Sequence, residues 1–158
     1  MSSVNVSPAL SSELTTADTR GRSEFSTAPL WWGFLVGCLT AAVPLALWWL
    51  TPTTVYSISV AMIGAIYIGF AVADGRTRVI AVEVVVATIF VVIAAVAVYG
   101  WPWVAVGGLM AHGAKDLWQH RTGFVMNARW WPPFCMVVDW VSAALIVALL
   151  LMGVDLNG

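Results

Sequence analysis

Residues 79–99 read VIAVEVVVATIFVVIAAVAVY, a run in which the only charge is Glu83. By propensity its valines suggest a strand. Its length points elsewhere. About 20 apolar residues cross the hydrocarbon core of a bilayer as a helix, and a lone strand there leaves its backbone unsatisfied. Gly100-Trp101-Pro102 ends the run, and a second segment follows at once, PWVAVGGLMAHGAKDLWQ at 102–119. So short a link makes the pair an antiparallel hairpin.

Outward from this hairpin lie three more segments of similar kind, Trp31–Leu50, Val55–Ala73 and Pro133–Met152. Pro52, Asp74-Gly75-Arg76 and the stretch His120–Pro132 separate the segments. Pro44 falls inside the first segment and is expected to kink it. The composition agrees: the 158 residues are 61% apolar and 9% charged, with a mean hydropathy of +0.90. A soluble domain carries roughly 25% charged residues, and a chain this short has too little interior to hide so much apolar surface from water. A soluble enzyme and a disordered protein are excluded. With seven basic and eight acidic side chains there is no electrostatic footprint for DNA or RNA. Cys38 and Cys135 do not make a disulfide framework. The expected fold is all-α and polytopic, with five transmembrane helices in one domain, residues 30–153.

Residues 1–29 hold seven serines, four threonines and two prolines and are read as a disordered cytoplasmic tail. They are not read as a secretory signal, because the apolar run starts only near Leu30 and ends in Trp48-Trp49 without a small-residue cleavage site. Residues 154–158 are read as a short external C-terminus. Orientation follows from the basic residues. Arg20, Arg22, Arg76, Arg78, Arg121 and Arg129 fall on the side of the N-terminus, Lys115 lies about one turn inside that boundary, and no Lys or Arg falls on the other side. The positive-inside rule makes that side cytoplasmic, so the expected location is the plasma (inner) membrane, N-terminus in and C-terminus out. Trp31, Trp32, Trp118, Trp130 and Trp131 mark the cytoplasmic boundary, and Trp48, Trp49, Tyr56, Tyr99, Trp101 and Trp103 the other.

Ionisable residues within such segments are costly and point to function. From the rise per residue, Glu83 and Asp116 lie about 6 Å inside the cytoplasmic boundary, Asp139 about 9 Å and His112 about 12 Å. His112, Asp116 and His120 recur every fourth residue and share a helix face. Ala105 and Gly108 continue that stripe and permit a close neighbour. Cys135, Asp139 and Ser142 form a second polar stripe on the last helix. Glu83, Asp116 and Asp139 against Lys115 leave a formal excess of two negative charges, which a low-dielectric site does not hold uncompensated. Protons, a charged histidine, a bound cation or one of Arg76, Arg78, Arg121 and Arg129 must offset it.

Three functions fit these residues. The first is a structural or accessory membrane subunit in which the polar groups fix helix packing. The second is a metal-dependent membrane enzyme acting on a lipid or apolar substrate. His112, Asp116 and His120 are then ligands of a divalent transition metal, and His112, Asp116, Asp139 and Glu83 the acid, base or further ligand groups. His112 and His120 lie about 12 Å apart along the axis, so a single ion would need Glu83, Cys135 or Asp139 from another helix, while two ions could use them all. The third is a small proton- or cation-coupled transporter. Arg121 and Arg129, in the basic and aromatic connection before the last helix, are candidates for contact with a lipid headgroup or another anion. Membrane lipids, further copies of the chain or a larger membrane complex are the expected partners.

The stretches AHGAKDLWQHR (111–121) and RWWPPFC (129–135), followed by Asp139-Trp140, carry a resemblance. The chain resembles small uncharacterised bacterial integral membrane proteins, actinobacterial ones among them. These have a His-x-x-x-Asp-x-x-His-His-Arg helix end and an Arg-Trp-Tyr/Trp-x-x-Phe-Cys-x-x-x-Asp helix start. Where that pattern has paired histidines, this chain has Gln119-His120, which weighs against a histidine-rich metal site. The resemblance implies no activity, but it selects the residues that depth and charge select.

Overall fold

The computed structural model of the chain describes residues 27–157. Most of the expected N-terminal tail, residues 1–26, lies outside the described residues. The described residues form five α-helices and no strand: α1 (Ala28–Ala42), α2 (Pro52–Asp74), α3 (Thr77–Val98), α4 (Pro102–Thr122) and α5 (Trp131–Leu151). The helix starts follow the prolines, since Pro29, Pro52, Pro102 and Pro132 sit in first turns, where a missing N–H costs nothing. Gly75 and Gly123, at φ of 78° and 59°, end α2 and α4 in the left-handed region that a side chain disfavours. At Pro44 the first segment does not continue as a kinked α-helix to Leu50. It tightens into a 3-10 turn, Val43–Ala46, because the ring removes a helical N–H and crowds the preceding turn.

Four stretches are long and apolar enough to cross a membrane: Ala28–Ala46, Pro52–Asp74, Thr77–Val98 and Trp131–Leu151. The helix α4 matches them in length but carries His112, Lys115, Asp116, His120 and Arg121, and it is not among those four. Its place in the bundle accounts for this. On one side α2 pairs with α3, on the other α1 pairs with α5, and α4 lies between, packed on α2, α3 and α5. The most polar helix is thus the most enclosed. The outward faces of the others are apolar, with Met62, Val72, Val85, Ile89 and Val92 all exposed, as suits contact with hydrocarbon and not water.

Small residues set the spacing. A Cβ on Gly33 would come within 2.7 Å of the Phe134 carbonyl oxygen, and one on Gly37 within 2.9 Å of that of Val138. This four-residue spacing lets α1 and α5 approach backbone to backbone. Ser142, expected on a stripe facing α4, instead donates to the Gly37 carbonyl at 3.1 Å. Between the hairpin and the α1–α5 pair lies a core of Val60, Phe90, Ala94, Leu109 and Ile146. Tyr56 belongs to it as well. It is buried among helices, and its hydroxyl donates to the Ala41 carbonyl at 2.7 Å.

The C-terminal residues add a contact that the sequence did not show. They fold back against the bundle. Leu156 is buried in the core, and its carbonyl accepts from the Thr53 N–H at 3.0 Å and the Thr53 hydroxyl at 2.9 Å. Asn157 accepts from the same hydroxyl at 2.9 Å and donates to Gly100. Truncating a buried leucine costs about 2–5 kcal/mol. Leu156→Ala should therefore lower stability in detergent by that order, read as an earlier midpoint in SDS titration. An unchanged midpoint would mean that the tuck contributes nothing.

Candidate functional site in the bundle core

The site is built on one face of α4 and closed by three neighbours. His112 and Asp116 are one turn apart and so project side by side. His112 Nδ1 lies 2.8 Å from Asp139 Oδ2 on α5 and 3.3 Å from Asp116 Oδ2. The nearer contact has hydrogen-bond geometry. The other oxygen of Asp116 accepts a 2.5 Å hydrogen bond from the Tyr67 hydroxyl on α2. The imidazole sits between two aromatic rings, Phe90 of α3 at 5.1 Å and Tyr67 at 5.9 Å between centroids. Gly64 makes room for Phe90, since a Cβ there would approach the Phe90 Cβ to 2.8 Å.

A second polar unit adjoins the first. Lys115 Nζ lies 2.9 Å from Glu83 Oε2 on α3, an ion-pair contact without hydrogen-bond geometry. The same ammonium stands 3.5 Å from the centre of the Tyr67 ring, where the ring's negative face attracts it. Gln119 Nε2 donates to Glu83 Oε1 at 2.7 Å. Glu83, His112, Asp116 and Asp139 are each no more than 1% exposed. A carboxylate so enclosed is tolerable only with partners, and here each carboxylate has at least one on a different helix.

The predicted residues separate accordingly. His112, Asp116 and Asp139 converge, with one donor atom from each within 4.8 Å of the others. Glu83 is one ion pair away. His120 is only half-buried and is not in the converging group. Two turns of helix carry it about 12 Å along the axis from His112, so the third donor is Asp139, not His120. Cys135 is buried one turn before Asp139 but is not among the converging donors. None of the arginines considered as offsetting charges forms an ion pair with the cluster among the described residues. Arg78, Arg121 and Arg129 are exposed. Arg76 pairs with Asp74 at 2.5 Å and donates to the Phe124 carbonyl at 2.7 Å, while Asp74 also accepts from the Met126 N–H at 2.9 Å. These bonds tie the α4–α5 connection to the end of α2.

Two members of the site were not singled out from the sequence. Tyr67 lies in an apolar run, where a tyrosine reads as core or boundary. Gln119 carries no charge to draw attention. Their spacing from Asp116 and Glu83 exists only in three dimensions, so no local signal marks them.

The fold and site together define an all-helical protein of the membrane-embedded kind, its apolar helices enclosing a buried His/Asp/Asp group. Comparison with protein-family models, with curated proteins and with solved structures returned no match for the chain.

Proposed function

We propose that the chain is a five-span integral protein of the plasma membrane, with its N-terminus in the cytoplasm and C-terminus outside, working as a structural or accessory membrane subunit. The observation that carries this reading is how α4 uses its polar side chains. His112 is tied to α5, Asp116 to α2, and Lys115 to α3. A helix too polar to be stable alone in hydrocarbon becomes tolerable there because its polar groups face helices and not lipid. Interhelical polar contacts of this kind contribute around 1 kcal/mol each.

The connections support the same reading. Residues 75–76, 99–101 and 123–130 join successive helices. Arg76 bonded to Phe124 places two Arg-bearing connections at one end of the bundle. Thr53 bonded to Leu156, and Asn157 to Gly100, gather the opposite end. The basic residues of the described connections thus share one end, which favours the cytoplasmic assignment.

Topology is the test. A reporter joined after Gly158, with Leu156 and Asn157 intact, should be active only if it requires export, and one that requires the cytoplasm should be silent. The reverse pattern would overturn the orientation. A second reading, a metal centre, is favoured by a single oxygen atom of Asp116, Oδ2, which is buried without a hydrogen-bond partner.

A further inference from the structure

We propose that His112, Asp116 and Asp139 form a binding site for one divalent transition-metal ion, held between α4 and α5. The proposal is independent of the accessory role and of the orientation.

The reasoning starts from protons. A neutral imidazole carries one N–H. Placed on Nδ1, it serves Asp139 at 2.8 Å and leaves Asp116 Oδ2, 3.3 Å away, without a donor. Placed on Nε2, it turns the bare Nδ1 lone pair onto two carboxylate oxygens. A doubly protonated ring brings charge but still gives Asp116 Oδ2 no hydrogen bond of its own. That oxygen is buried, in a side chain with 0% exposure, and has no hydrogen-bond partner among the described residues. An uncompensated buried polar atom is costly. His112 Nε2 also lacks a partner, and with an ion on Nδ1 the ring proton sits there unpaired.

A cation among the three donors resolves the conflict at Asp116. It takes the Nδ1 lone pair and one oxygen from each carboxylate. The two separations from Nδ1 suit it. Ligands about 2.0–2.2 Å from a metal stand about 3.0 Å apart at a right angle and about 3.4 Å apart at the tetrahedral angle, by the same bond lengths. The observed separations from Nδ1 are 2.8 and 3.3 Å.

Charge points the same way. Glu83, Asp116 and Asp139 carry three formal negative charges and Lys115 one positive charge, and no arginine enters the cluster among the described residues. A divalent ion brings the enclosed sum to zero, which is what a low-dielectric interior favours. The surroundings are also those of a ligand set. The Tyr67 hydroxyl holds Asp116 Oδ1 at 2.5 Å and so turns Oδ2 toward His112. Such outer hydrogen bonds orient metal-binding carboxylates. One imidazole with two carboxylates suits zinc, manganese, iron(II) or cobalt(II), and not copper(I), which prefers sulfur.

The full chain, purified in mild detergent without a His-tag or chelator, should carry close to one transition-metal ion by elemental analysis. Asp116→Asn keeps the shape of the side chain and an acceptor for Tyr67, and it should lower that content at least tenfold while remaining folded. Asp139→Asn should do the same. Cobalt(II) added to chelator-stripped wild-type protein provides a readout that needs no variant. Visible ligand-field bands saturating at one equivalent are expected. Wild-type protein that carries no metal and shows no such bands would overturn the site. So would metal content equal in wild type and both Asn variants.

Discussion

Lys115→Met should destabilise the bundle by about 3–5 kcal/mol, the usual cost of removing one partner from a buried ion pair. Methionine keeps most of the stem and removes the ammonium. Glu83, 1% exposed, then retains only the Gln119 amide at 2.7 Å and faces a neutral neighbour. Adding Glu83→Gln should restore most of the loss, because the double variant no longer encloses an unpaired charge. The difference between the double variant and the sum of the singles isolates the pair. SDS-titration midpoints of the four proteins in one detergent give the numbers. A loss below about 1 kcal/mol, the range of a solvent-exposed pair, would show that Glu83 and Lys115 do not face each other in a dry interior.

Two glycines on α4 should respond in opposite directions to the same substitution. A Cβ on Gly113 would sit 2.4 Å from Trp140 Nε1 and 2.6 Å from its Cδ1. The indole is rigid and donates to the Met110 carbonyl at 3.3 Å, so it has to move as a whole. Overpacking of this kind costs about 1–3 kcal/mol or more. The push also separates α4 from α5, where the His112–Asp139 contact lies. Gly107, on the same helix, has open space around its Cβ position. Alanine there should stabilise by about 0.5–1 kcal/mol, since the chain loses less entropy on becoming helical. Gly113→Ala and Gly107→Ala measured side by side check the α4–α5 packing. Equal effects would contradict it.

Much of this architecture is legible in the sequence because bilayer thickness and apolar run length are linked. The hairpin at 79–119 and the breaks at Pro52, Gly75 and Gly100 follow from composition and turn chemistry alone. The site was legible in part, for a related reason. A charge in an apolar run is conspicuous, so Glu83, His112, Asp116 and Asp139 stand out. Partner choice was not legible. Rise along the axis already separates His120 from His112, but which residue of another helix replaces it, Asp139, was not marked. Arg76 is near the cluster in sequence, but Asp74 is two residues away and captures it. Tyr67 and Gln119 have no charge to betray them. The return of Leu156 to the core was hidden because a five-residue tail has too few residues to show a period.

The position of α4 in the chain has a consequence for how the protein is made. Synthesis runs from the N-terminus, so Tyr67 and Glu83 exist before α4 emerges. Asp116 and Lys115 can find these partners as soon as α4 packs against α2 and α3. Asp139 comes later, at the start of the last helix. Until α5 is inserted, His112 lacks Asp139 as its partner, and the gap beside it is open to water, to chaperones or to a diffusing ion. Docking of α5 therefore completes the site.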